Sequence, residues 1–159
     1  MIEMTIEKNL SYHQFKELIP ELISIYQRAY EGLPEYGDSN RWKIAAYLHW
    51  LWNGDPENFL VAFEGDKPIG FLGIHTNWIS EKERVAEIHE IVVDPQFQGK
   101  GIGKKLIEEA TQIALSRGRK KIELWVGEKN YKAQDFYLHN GFQKREQKGI
   151  WIRMVKYLS

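Results

Sequence analysis

In Val92-Val93-Asp94-Pro95-Gln96-Phe97-Gln98-Gly99-Lys100-Gly101-Ile102-Gly103-Lys104 an apolar run stops at a proline, three glycines follow at alternate positions, and a helical pattern begins. Glycines at such a point let the backbone turn tightly and come close to a ligand. The amides of a first helical turn lack intrahelical acceptors and suit an anion, a phosphate above all. Two common phosphate motifs do not fit. A dinucleotide fingerprint counted from Gly99 needs a third glycine at Lys104, and a P-loop ending in Gly103-Lys104 needs glycine at Gln98 and Ser or Thr at Lys105.

The flanking segments give the architecture. Upstream, residues 85–93, 69–78 and 59–64 read as strands, the latter two joined by the turn residues Gly65-Asp66-Lys67-Pro68. Before them lie two helical patterns. Ser11 and Gln14 have the form of a capping box ahead of Phe15, Leu18, Ile19, Leu22, Ile23 and Tyr26, with a kink or break expected at Pro20. The second pattern places Trp42, Ala45, Ala46, His49 and Trp52 on one stripe. Residues 4–8 alternate as a short first strand. Downstream, 102–117 is an amphipathic helix closed by Gly118, 122–126 a strand, 131–140 a helix closed by Gly141, and 142–147 with 150–157 a strand pair around Gly149. The order β-α-α-β-β-β-α-β-α-β-β predicts an α/β fold with a mixed central sheet and helices on both faces.

Composition narrows the function. A chain of 159 residues with 43% hydrophobic residues fits one domain, residues 1–159. It has no cysteine, which excludes disulfides, thiolate metal sites and a covalent cysteine intermediate. No metal-ligand spacing occurs among the five histidines, so no metal is expected. No apolar run approaches the ~18 residues that cross a bilayer. Met1–Leu10 carries Glu3 and Glu7 where a secretory leader would be basic and then apolar, so a cytoplasmic protein is expected. The formal net charge is zero, which speaks against a nucleic-acid partner. That zero conceals an asymmetry: 8 basic against 16 acidic side chains in residues 1–97, and 14 against 6 in residues 98–159.

The glycine segment also reads as Q-x-x-G-x-G, with Gln98, Gly101 and Gly103 following Val93-Asp94-Pro95. Further on, Asn130, Ala133, Phe136, Tyr137, Gly141 and Phe142 form N-x-x-A-x-x-F-Y-x-x-x-G-F. With these two motifs in this order the sequence resembles the GCN5-related N-acetyltransferase (GNAT) family, most strongly over residues 85–145. The resemblance implies the acyl-CoA N-acyltransferase fold and acetyl-CoA as co-substrate. It implies pantetheine contacts at Ile91, Val92 and Val93, and a pyrophosphate cradle of Gln98, Gly99, Lys100, Gly101, Ile102, Gly103 and Lys104, with Lys105 adding charge. It implies a cofactor hydrogen bond from Asn130. Tyr137, at the cofactor, becomes the general acid: a phenol of pKa about 10 is protonated at neutral pH and can supply a departing thiolate.

The base is read from Val85-Ala86-Glu87-Ile88-His89-Glu90-Ile91. Alternation puts Glu87 and His89 on one strand face with Ile91 and Val93, and Glu90 on the other with Ile88 and Val92. Glu87 falls where family members carry a catalytic glutamate; His89 and Glu90 remain alternatives, Glu90 if the strand bulges. A small-molecule or peptide amine is the expected acceptor, taken by direct attack in a ternary complex. The acidic, aromatic loop of Tyr30, Glu31, Glu35, Tyr36 and Asp38, with Trp42, Trp50, Trp52, Trp78 and Trp125, is the expected acceptor region. A non-catalytic acyl-CoA-binding regulatory domain is the alternative, and a homodimer is left open.

Overall fold

The computed structural model describes residues 3–159. Its elements are β1 (Met4–Glu7), α1 (Tyr12–Ala29), α2 (Arg41–Gly54), β2 (Leu60–Glu64), β3 (Lys67–Ser80), β4 (Glu83–Val93), α3 (Ile102–Ser116), β5 (Lys121–Gly127), α4 (Tyr131–His139), β6 (Gln143–Lys148) and β7 (Trp151–Tyr157), with 3-10 turns at Pro56–Asn58 and Pro95–Phe97. The expected element order holds, and the fold is a mixed seven-stranded sheet flanked by helices. The strands are hydrogen-bonded in the order β1-β2-β3-β4-β5-β7-β6. The β4–β5 pair is parallel, whereas β1–β2, β2–β3, β5–β7 and β6–β7 are antiparallel.

The described chain divides into two compact units. The first holds the residues up to Ile74 together with Glu90–Leu106. Its helix α1 starts at the expected capping box: Ser11 Oγ accepts from the Gln14 N–H at 3.1 Å, and Gln14 Oε1 accepts from the Ser11 N–H at 2.8 Å. The break expected at Pro20 does not occur. Proline removes one helical donor, but Ile19, Leu22 and Ile23 are buried on both sides of it and hold the helix to its core. In α2 the buried stripe is Ile44, Leu48, Leu51 and Trp52, offset from the one expected; Trp42 is 86% exposed. Branched apolar side chains at i, i+4 and i+7 claim the core face ahead of the more distant tryptophan.

These two helices pack on Phe59, Val61, Phe71 and Val92 of the strand layer. Phe15 is the centre of that packing: fully buried, stacked on Trp52 with centroids 4.6 Å apart and edge-on to Phe59 at 5.2 Å. Phe15→Ala removes a ring the surroundings cannot replace. It is expected to cost about 3–5 kcal/mol, read as a lower urea midpoint at unchanged slope.

The second unit comprises His75–His89 and Ile107–Ser159. Its sheet registers Ala86 with Ile122 and Glu87 with Glu123 across the parallel pair, then Lys121 with Tyr157 through Gly127 with Trp151 across β5–β7. The turn from β3 to β4 carries Glu81 and Lys82, both at positive φ (48° and 68°), where a hairpin of this kind usually carries Asn-Gly. Glu81 is tied to Arg153 of β7 at 3.3 Å, an ion pair that offsets part of that backbone cost.

Candidate active site

Strand β4 carries the three candidate bases Glu87, His89 and Glu90, and its pleat separates them as the alternation predicts. In the first unit Glu90 lies under α1 and α2, where Tyr30 and Tyr47 donate their hydroxyls to its two carboxylate oxygens at 2.5 and 2.9 Å. Burial pushes this carboxyl up to about 7, against the pull of the two phenols. Both of its oxygens are thus engaged by residues of the helical layer.

In the second unit Glu87 and His89 share the opposite face of the strand. His89 Nδ1 lies 3.1 Å from Glu87 Oε2, and His89 Nε2 lies 3.1 Å from His75 Nδ1. Burial, reinforced by His75, lowers the His89 pKa to about 3. His89 is therefore neutral at pH 7. With Glu87 as its carboxylate, His89 Nδ1–H donates to it and Nε2 accepts from His75. The ring is held edge-on to Trp78 with centroids 4.5 Å apart.

Glu87 itself is only 4% exposed. Burial, and next the negative charge of Glu123, push its pKa up to about 7, while the Trp125 indole N–H and the charge of Arg153 act the other way. A carboxyl that exchanges its proton near neutrality has the acidity that general-base work requires. It opens on a pocket of about 370 Å³ lined by Glu87, Ile88, His89, Trp125, Lys148 and Trp151. The Lys148 ammonium lies 5.7 Å from the centre of the Trp125 ring. That contact marks the indole face as attractive to a cation.

Of the five tryptophans expected around an acceptor cleft, Trp125 lines this pocket and Trp78 braces His89. Trp50 stacks beside Tyr47 at 6.1 Å, Trp52 belongs to the core, and Trp42 points into solvent. Trp151, Lys148 and His75 were not expected at the site. Their positions in a terminal strand pair and in mid-strand carry no local motif; only strand pairing brings them to Glu87.

The glycine segment lies in the first unit. Asp94, fully buried at the end of β4, accepts from Arg28 Nη2 at 2.8 Å and from the Gln96 N–H at 3.1 Å. Burial alone would raise its pKa, but Arg28 and that amide hold it below the usual carboxylate value. Gln98 donates its side-chain amide to the Val93 carbonyl at 3.3 Å, fastening the loop to the strand. Gly99 and Gly101 adopt φ of +78° and +81°, and a Cβ at either would meet open space. Backbone conformation, not crowding, makes glycine necessary there.

The Lys105 N–H closes the first turn of α3 on the Gly101 carbonyl at 3.1 Å, leaving the amides of Ile102, Gly103 and Lys104 outside the intrahelical ladder. Lys67 and Lys100 place their ammonium groups 5.4 and 5.5 Å from the Phe97 ring. Such a turn, with free amides and cations close by, fits a diphosphate. Val92 is buried in the core, and Ile91 and Val93 are half-buried, so Val92 has only its main chain to offer a ligand.

Tyr137 and Asn130 belong to the second unit. Asn130 caps α4, its side-chain oxygen accepting from the Ala133 N–H at 3.4 Å. Tyr137 is half-buried between the rings of Phe136 and Phe142, at 5.5 and 5.7 Å. Among the described residues no group of three or more His, Cys, Asp or Glu side chains could hold a metal ion. No helix among them is long and apolar enough to cross a membrane.

A profile of the acetyltransferase (GNAT) family matches residues 19–142. The chain belongs to the GNAT family. This GNAT chain is 43% identical over 143 residues to an uncharacterised N-acetyltransferase of Methanocaldococcus jannaschii, a match covering 89% of this chain and 63% of that relative. It thus spans less than two thirds of that relative's length. A crystal structure from Pyrococcus horikoshii, also 43% identical, superposes with a TM-score of 0.89 over 99% of each chain. A PaiA N-acetyltransferase of Thermoplasma acidophilum, crystallised in complex with coenzyme A, has the same GNAT fold. It has 24% identity and a TM-score of 0.77, covering 99% of this chain and 100% of that one.

Proposed function

We propose that residues 1–159 form one N-acetyltransferase domain that moves the acetyl group of acetyl-CoA to a primary amine by direct attack in a ternary complex. The observation that carries this reading is Glu87, a buried carboxyl with a pKa of about 7 on a pocket walled by Trp125 and Trp151. When bound, acetyl-CoA supplies an activated acyl thioester. The residues around it have four tasks: to anchor the donor, polarise its carbonyl, neutralise the amine and protonate the leaving sulfur.

Gln98–Lys104 anchor the diphosphate through the backbone turn and the first amides of α3. The main chain of Ile91, Val92 and Val93 holds the pantetheine arm and a thioester oxygen, and Asn130 serves the adjoining part of the donor. Glu87 takes a proton from the acceptor's ammonium, whose ordinary pKa of about 10.4 keeps it charged at neutral pH. His89, neutral and donating to Glu87, keeps that carboxylate oriented and is not itself the base. Tyr137 gives its phenolic proton to the thiolate and is reprotonated by the second proton that the acceptor nitrogen sheds as the amide forms. The amine, of a small molecule or a peptide in the cytoplasm, enters over the Trp125 face.

Release of free thiol from acetyl-CoA, screened against polyamines, aminoglycosides, amino acids and peptide N-termini, tests the reading directly. Turnover with one of these classes supports it; binding of acetyl-CoA without turnover on any of them rejects it. The cradle has its own test. Gly101→Ala places a Cβ at φ +81°, a conformation costing an L-residue about 1–2 kcal/mol. KM for acetyl-CoA is expected to rise about tenfold, with KM for the acceptor unchanged.

A further inference from the structure

We propose that Glu123 and Arg153 are positioning residues for the acetyl transfer: Arg153 is ion-paired to Glu123, and the Glu123 carboxylate beside Glu87 on the paired strand makes Glu87 the carboxyl that takes up and releases the proton. This rests on the reading of Glu87 as the base.

The argument starts in the sheet. Glu87 on β4 and Glu123 on β5 are register partners, so their side chains leave the same face of the parallel pair. They are 4% and 2% exposed. Two buried carboxyls side by side cannot both ionise without a large penalty, and the proton goes to whichever is less well compensated. The Arg153 charge reaches Glu87 as well, but its hydrogen bonds go to other acids. Arg153 Nη1 donates to Glu123 Oε1 at 2.8 Å, Nε to Glu146 at 2.8 Å and Nη2 to Glu81 at 3.3 Å.

The guanidinium, 8% exposed, is thus shared by three carboxylates. Glu123 Oε2 is buried with no hydrogen-bond partner among the described residues. Glu87 receives neutral donors, His89 and the Trp125 indole. The other ionisable groups around it are His75 on β3, beyond His89, and Lys148, which lines the same pocket. Arg153, together with Lys148 at 3.9 Å from Glu146, faces four acids, which leaves negative charge in excess. The acid without a bond to Arg153 gives way by binding a proton.

A simple structural staple would predict that loss of Glu123 lowers stability and leaves the proton affinity of Glu87 alone. The inference predicts a change in that affinity. The Trp125 indole N–H, bonded to Glu87, gives a direct signal: its ¹⁵N–¹H resonance followed against pH in the free protein, assigned with Trp125→Phe. In the unaltered protein the resonance is expected to titrate near the Glu87 value of about 7, and Glu87→Gln should abolish that step. Glu123→Gln should move it down by about one pH unit, and Glu123→Asp should restore most of the original position.

Arg153→Gln provides an independent arm: it removes the guanidinium whose charge pulls Glu87 down, and should move the inflection up. An inflection unmoved by Glu123→Gln, or unmoved by Arg153→Gln should the first variant not fold, overturns the inference. This outcome is separate from failure of the base assignment. Full thiol release by Glu87→Gln with an acceptor from the panel above would remove Glu87 from the chemistry, whatever the resonance does.

Discussion

Tyr137→Phe is expected to lower kcat by about 10²–10³-fold, the usual range for a lost general acid, with the dissociation constant for acetyl-CoA unchanged. The ring is packed between Phe136 and Phe142, and phenylalanine keeps that packing while removing only the hydroxyl. The loss therefore belongs in the chemical step and not in donor binding or fold. Calorimetry with acetyl-CoA and steady-state thiol release, run on the same preparation, separate the two. A compensating rise in rate with a more acidic leaving thiol would fix the role further, because a better leaving group needs less protonation. Equal kcat in the two proteins would return Tyr137 to a packing role.

The second large effect concerns the base. In the proposed reaction Glu87 acts as its carboxylate, and its pKa is raised to about 7 by burial and by Glu123. Below that pH the folded protein holds the proton and the base is blocked; above it the carboxylate is free. The rate should thus fall about tenfold per unit on the acid side of pH 7 and level off above it, apart from the acceptor's own ionisation. Glu87→Gln should remove this acid limb and lower kcat/KM at pH 8 by about 10²-fold or more. His89, with its pKa down near 3, has no ionisation in this range to mimic the limb. A limb that survives in Glu87→Gln would assign the base elsewhere.

Local signals carried most of the fold. The capping box at Ser11, the glycine closing α3 and the switch from helical to alternating periodicity each act within a few residues, and a sequence displays them directly. The β4 pleat was equally legible, since Glu87 and Glu90 do emerge on opposite faces. What failed depends on competition between neighbours. Trp42 lost its core position to Ile44, Leu48 and Leu51, and Pro20 is carried inside a helix that tertiary packing continues past it without a break.

The candidate site was legible in part as a place in the fold. Glu87 and Trp125 follow from position, but Glu123, Glu146, Glu81 and Arg153 meet only through strand pairing, at separations of up to 72 residues. One clue was available: Arg153 sits in Trp151-Ile-Arg-Met-Val155 and Glu123 in Ile122-Glu-Leu124, lone charges inside apolar strands. A charge so placed must find a counter-charge, and two of opposite sign point to each other. Tyr30 and Tyr47 had no comparable mark, because a tyrosine on a helix gives no sign of which acid it will meet.

Strand β6 stands last in the sheet order, and its sequence is Gln143-Lys144-Arg145-Glu146-Gln147-Lys148. A terminal strand is a template on which another polypeptide can polymerise, and apolar side chains there invite fibril growth. Here no apolar residue is present, and three cations flank the single acid. An approaching second copy would bring like charge against like charge and strip water from ammonium and guanidinium groups. The same hairpin that carries Lys148 to the pocket beside Glu87 thereby opposes edge-to-edge association, so replacing these charges would trade against resistance to aggregation.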